Sequence, residues 1–377
     1  MKDFFSWVAQ LPTLLQILAV LLAFGIVIAI LIFLLEVAPR SGRRFTIIRL
    51  VACIVIPLVA FLALNSAVWA AVVAAVLGGV FFILDFRSRQ GAGYLFQLFG
   101  FLAPAFILLG IGLVYPTIQT LVQAFLNNRS NRFVGFDNFA WIFTQETGIR
   151  TIINTIIWVL VAPIVSTIIG LAYAVFIDKS RGEKFFKILV FMPMAISFVG
   201  ASIIWRFVYA ARPADQPQIG LLNQIVVWLG GQPMDWLSNS PWNTFFLIVV
   251  FIWIQTGFAM VVLSAAIKGV PTEQLEAAEL DGTNGWQSFI NVIVPGIRSS
   301  LVVVLTTISI GSLKVFDIVR TMTAGANQTS VLANEMYAQW SGFELGRSAA
   351  LAVVLFVLVL PIVIYNARQI ARQREIR

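Results

Sequence analysis

Residues 273–295 read "EQLEAAELDGTNGWQSFINVIVP". The stretch lies between two apolar runs, 242–267 and 298–318, each long enough to cross a membrane. It nevertheless carries four acidic side chains of its own, Glu273, Glu276, Glu279 and Asp281. The surrounding chain is 60% apolar and only 11% charged, against about 45 to 50% and about 25% for a soluble domain. Such a chain is an integral membrane protein, and a polar piece kept in one place between two spans asks for a reason. With no His and a single Cys, Cys53, inside an apolar run, the chain offers no imidazole base, no His or Cys metal cluster and no internal disulfide. Most enzyme chemistry is thereby excluded. The net charge of +8 would suggest nucleic acid in a soluble protein; in a membrane protein it is better read as basic residues holding loops on one side of the bilayer, with no nucleic acid involved.

Locally the stretch predicts a helix, a turn and a second helix. Pro271 can open the first, with Thr272 and Glu273 in its first turn, and Asp281–Gly282 can end it on a residue free to turn left-handed. Thr283 or Asn284 can cap the second, which Pro295 is expected to stop. A helix lying on lipid would carry Lys or Arg on its polar side. This one is acidic, and the negative inner membrane surface repels it, so it is read as docking into a protein. The small Ala277 and Ala278 would allow close approach.

Nine stretches qualify as spans: 13–36, 46–64, 67–85, 94–123, 151–177, 186–209, 242–267, 298–318 and 347–367. Placing the N-terminus outside and the C-terminus in the cytoplasm puts sixteen of the 25 Lys and Arg, among them Arg43, Arg44, Lys179, Lys184, Lys268 and Arg372, in inner loops. The acidic stretch is then cytoplasmic. Pro57, Pro104, Pro116, Pro163, Pro193 and Pro361 interrupt spans and predict kinks. The longest outer loop, about 210–241, is flanked and filled by Trp228, Trp236 and Trp242, read as an interfacial aromatic belt.

"EAAELDG" followed by "FINVIVP" resembles the EAA signature of permease subunits in binding-protein-dependent ABC importers, EAAxxxG, nine residues, then IxLP. Glu276, Ala277, Ala278, Gly282 and Pro295 match, and Val292 and Val294 stand where the pattern has Ile and Leu. "FLAPAFILLGIGLVYP" at 101–116, "FVGFDNFAWIF" at 133–143 and "LKVFDIVRTMTAG" at 313–325 resemble the first of the two permeases in carbohydrate importers of the maltose and glycerol-3-phosphate type. The resemblance covers about 94–377. It implies an all-α polytopic fold with a six-helix type I importer permease core at 91–377, preceded by three extra transmembrane helices at 1–90 where the maltose-type pattern has two. It implies that the loop 268–297 is the coupling element seated in a partner ATPase, with Glu276, Ala277, Ala278, Asp281, Gly282 and Pro295 in that role. The implied partners are a second permease, two ATPase subunits that bind the ATP and Mg²⁺, and an extracellular or periplasmic sugar-binding protein. The chain contains no GxxxxGK[ST] phosphate loop of its own, in keeping with a motor carried by another subunit.

Polar groups inside spans are costly and mark a candidate pathway. They are Gln255, Thr256 and Phe258 in the seventh span, with the Phe supplying an aromatic face, and Ser309, Ser312, Lys314 and Asp317 in the eighth, where Lys314 and Asp317 could pair on one helix face. The resemblance points to Gln255, Phe258 and Ser312 as sugar contacts, with maltose or trehalose as the expected cargo and glycerol-3-phosphate as the alternative. A plainer reading leaves the serines bridging between helices and Lys314–Asp317 as a structural pair. A gradient-driven transporter would show internal repeats and unpaired acids at midplane, which this sequence lacks.

Overall fold

In a computed structural model of the chain, residues 109–177 and 180–375 are described, with 102, 105 and 106 besides. The expected spans at 13–36, 46–64 and 67–85, the start of the fourth, and the boundary at 90/91 lie outside the described residues. The chain divides into two compact units, Met1–Pro116 and Thr117–Arg377, and the architecture below is that of the second.

The described part of the first unit ends in a π-turn at Gly110–Val114 and the start of α1 (Tyr115–Gln123). The elements of the second unit are helical: the rest of α1, then α2 (Asp137–Thr144), α3 (Glu146–Ile177), α4 (Glu183–Phe191), α5 (Phe198–Val208), α6 (Leu221–Trp228), α7 (Trp242–Lys268), α8 (Thr272–Leu280), α9 (Gly285–Gly296), α10 (Arg298–Leu313), α11 (Asp317–Met322), α12 (Leu332–Ser341) and α13 (Leu345–Glu375). Three of these, α3, α7 and α13, are long and apolar enough to cross a bilayer as single helices.

Helix α7 forms the centre of the unit: 56% of its apolar window is buried, against 39% for α3 and 22% for α13. Its burial follows from composition, because apolar side chains occupy every face and no polar stripe exists to meet water. Helix α3 crosses it closely at Gly170, where a Cβ would lie 2.5 Å from the Ala259 side chain, so only glycine permits this approach. Trp158 of α3 meets Phe251 of α7 edge-on at 5.7 Å, and Phe198 stacks on the same ring at 5.7 Å. Helix α10 packs against both α3 and α7. A smaller core gathers Ile142 of α2, Leu332 of α12 and Ala350 and Leu351 of α13.

Two expected spans are not straight helices. The run 186–209 is α4 and α5, bent by 102°. Pro193 lacks an N–H and sits in a 3₁₀ turn at Met192–Ala195, Ile196 is extended, and the Ser197 hydroxyl accepts from the Gly200 N–H at 3.1 Å to start a new helix. The run 298–318 stops at Leu313, and a new helix begins at Asp317. Helices α3 and α13, in contrast, continue through Pro163 and Pro361.

Candidate functional site

The loop that follows α7 folds largely on its own hydrogen bonds. Thr272 and Glu273 occupy the first turn of α8, where the helix dipole favours an acidic group. At its far end the Thr283 N–H donates to the Ala278 carbonyl (3.1 Å) and the Gly282 N–H to the Glu279 carbonyl (3.0 Å), the paired closure of a Schellman turn. Gly282 takes φ +77°, as that turn requires. The Thr283 hydroxyl adds a 2.7 Å bond to the Ala278 carbonyl. Asn284, rather than Thr283, caps the next helix: its side chain accepts from the Gln287 N–H while the Gln287 side chain accepts from the Asn284 N–H, each at 2.8 Å.

Pro295 does not stop this second helix as expected. The chain widens to a π-turn at Phe289–Ile293, with the Val294 N–H donating to the Phe289 carbonyl, and stays helical through Gly296. A wider turn ahead of the proline relieves the clash of its ring with the preceding carbonyls. The break falls at Ile297, where α10 departs at 70°.

Leu275 of α8 packs against the core cluster that includes Val270 and Ile297, and Ala278 is buried. Glu273, Glu276, Ala277, Glu279, Asp281 and Gly282 are exposed. Of the two alanines read as a close-approach pair, Ala278 is therefore used within the chain and Ala277 is open to a partner. Leu280, given no role by the sequence reading, is 90% exposed, and Trp286 is 69% exposed. Their signal was present as large apolar side chains beside an acidic run, which gain only if something covers them.

An ionic clasp sits at the root of the loop. Lys268, the last residue of α7, reaches Glu183 at 2.5 Å, and Lys187 reaches it at 2.8 Å and Ser264 at 2.5 Å. Glu183 precedes the apolar run 186–209, and the two ammonium groups hold its carboxyl down to about 2.

The pathway candidates fall on two neighbouring helices. Gln255 of α7 faces α10, where a side chain at Gly311 would meet its Nε2 at 3.5 Å. Phe258 is partly buried against the core. Thr256 donates to the Ile252 carbonyl (2.7 Å) and the buried Ser312 to the Ser309 carbonyl (2.9 Å), so both hydroxyl protons are engaged within their own helices. Ser309 is partly exposed. The expected Lys314–Asp317 pair on one helix face is not present: Lys314 caps the end of α10, Asp317 begins α11, both are exposed, and among the described residues they form no ion pair.

At the opposite end of α7 a set of buried asparagines, missed in the sequence, ties distant segments together. Asn154 of α3 donates to the carbonyls of Gln328 (2.6 Å) and Ser330 (2.9 Å), and Asn243 of α7 to that of Asn327 (2.7 Å). Asn223 of α6 donates to the carbonyls of Ala210 and Met234, each at 3.0 Å, and accepts from the Met234 N–H and the Trp236 indole. Trp236, expected in an interfacial belt, is thus partly buried and packs edge-on against Phe246 at 5.0 Å. Trp228 and Trp242 are exposed.

Long apolar helices around a buried central one, interrupted by an exposed acidic helix–turn–helix, define a multi-pass membrane translocation component. Residues 166–376 match the family described as binding-protein-dependent transport system inner membrane component, and the chain belongs to that family. In it the ATPase of the importer is a separate subunit. The chain is 49% identical to the alpha-glucoside transport system permease protein AglF of Rhizobium meliloti, over 72% of this chain and 82% of that one. It is 45% identical to the osmoprotective compounds uptake permease protein GgtC of Synechocystis, over 74% of this chain and all of that one. A bacterial ABC transporter involved in the import of alginate shares the fold with a TM-score of 0.66, at 24% identity, over 76% of this chain and 99% of that one.

Proposed function

We propose that this chain is the first permease of an ATP-driven importer and carries an α-glucoside, maltose or trehalose, handed over by an extracellular binding protein. The observation that carries the coupling part is helix α8 with the turn at Asp281–Gly282, whose Glu276, Ala277, Glu279, Asp281 and Gly282 are exposed, in the segment that joins α7 to α10. In this reading the loop 268–297 lies in the cytoplasm, with the N-terminus outside and the C-terminus inside, and seats in a partner ATPase that binds ATP and Mg²⁺. A second permease completes the pathway. Closure of the ATPase pulls α8, and because Lys268 is clasped to Glu183 the pull reaches α4 as well as α7. Gln255, Phe258 and Ser309 face the sugar, while Thr256 and Ser312 shape the helices that present them. The glucoside assignment is supported by the 49% identical relative named for alpha-glucoside transport. Glycerol-3-phosphate, the alternative cargo, needs cationic groups and rests on Lys314.

The test is ATP-dependent accumulation of labelled maltose or trehalose in vesicles holding this chain with its second permease, ATPase and binding protein, comparing the intact chain with Glu276→Lys. Accumulation that stops on charge reversal, with assembly preserved, supports coupling through α8. Uptake that proceeds without ATP or ignores the reversal overturns it.

A further inference from the structure

A row of aromatic rings leaves the end of α10 on the side away from the coupling loop. Phe316 meets Tyr337 with ring centroids 5.3 Å apart, and Tyr337 meets Trp340 at 5.9 Å. The Arg320 guanidinium lies 4.7 Å above the Tyr337 ring and holds it in place. Trp340 is 58% exposed and Tyr337 36%. Beside the two rings opens a cavity of about 440 Å³, bordered also by Gln119 and Ser348, a volume within the range of small-ligand sites.

The chemistry of this lining is specific. Aromatic faces bind the C–H face of a pyranose, the Gln119 amide can pair with ring hydroxyls, and the Ser348 oxygen, whose proton goes to the Met336 carbonyl at 2.9 Å, is left to accept from one. A lipid chain would have no use for the polar rim. An anion would compete with the Tyr337 ring for Arg320. Phe316, the first ring of the row, lies between the end of α10 at Leu313 and the start of α11 at Asp317.

We propose that Tyr337 and Trp340, with Gln119 and Ser348 at the rim, hold a pyranose ring of the incoming sugar before it passes to Gln255 and Ser309. This step rests on the sugar reading above and names a specificity element of the same route. In the assembled transporter in vesicles, Trp340→Ala raises KM for labelled maltose about tenfold. The maximal rate, the amount of chain in the membrane and the sugar-independent ATPase activity stay at the level of the intact protein, and Trp340→Phe restores most of the lost affinity. A KM within about twofold of the intact protein for both Trp340→Ala and Tyr337→Ala overturns the docking step while leaving the sugar reading standing. A fall in membrane abundance with KM unchanged makes the rings an interfacial anchor and also overturns it. If the intact transporter accumulates neither maltose nor trehalose, the sugar reading itself fails and the step falls with it.

Discussion

In the acidic loop between α7 and α10 polar side chains close hydrogen bonds with residues three to five positions away, Asn284 with Gln287 and Thr283 with Ala278. At the opposite end Asn154 reaches residues 174 and 176 positions away, and Asn243 one 84 away. The first arrangement makes a unit that can move as a piece, since its internal bonds survive displacement. The second makes a lid of loops clamped to the helix ends, in which any relative movement breaks buried bonds. Coupling through this loop, as proposed, uses both, a movable handle and a fixed far end.

The comparison can be broken most forcefully at the clamped end. Asn223→Ala leaves the Ala210 and Met234 carbonyls, the Met234 N–H and the Trp236 indole without their partner. At about 1–3 kcal/mol for each of these four part-buried groups left unsatisfied, the apparent melting temperature in detergent falls by about 8 °C or more, on a scale of about 2–4 °C per kcal/mol. A fall of under about 2 °C would mean that this end is not held by its asparagines.

A change in the handle acts on function before stability. Gly282→Val meets no neighbouring atom, yet places a β-branched residue at φ +77° and costs about 1–2 kcal/mol locally. Uptake driven by ATP drops about tenfold while melting shifts by no more than about 8 °C, and Gly282→Asn, which accepts the left-handed region, keeps most of the activity. Equal uptake by the Val variant would detach the Schellman turn from coupling.

The smallest effect belongs to the clasp. Glu183 has a depressed folded-state pKa of about 2 against an ordinary 4.5, so its ion pairs contribute fully above about 4.5 and are lost as pH falls through about 2. Melting curves of the intact chain and of Glu183→Gln therefore differ slightly near neutral pH and converge over that acid window. A gap that stays constant across the window would show that the two lysines do not hold the carboxylate.

The legibility of the two ends differs for the same reason as their bonding. Pro271, Gly282 and Asn284 act on their own neighbours, so the helix–turn–helix could be read from spacing, and the family pattern at Glu276–Gly282 with it. Pro295 misled because its effect was absorbed by the π-turn at Phe289–Ile293 just ahead of it. Lys314 and Asp317 looked like a helical pair because nothing in the residues 314–316 signals a break. Thr256 and Ser312 were read as pathway groups from their type and position alone, and the donation of each hydroxyl to a carbonyl of its own helix is visible only in the structure.

By itself the sequence determined what depends on composition and near neighbours: a membrane chain, long apolar helices, and one acidic helix–turn–helix between two of them. Tertiary structure alone decided that α7 is the central helix, that Ala278 faces inward while Leu280 faces out, that Gln255 looks onto Gly311, and that asparagines far apart in the chain seal the other end. Hydropathy and turn chemistry act over a few residues, whereas the partner of a buried polar group is chosen by which helices pack together, and a uniformly apolar helix such as α7 carries no stripe to announce that choice.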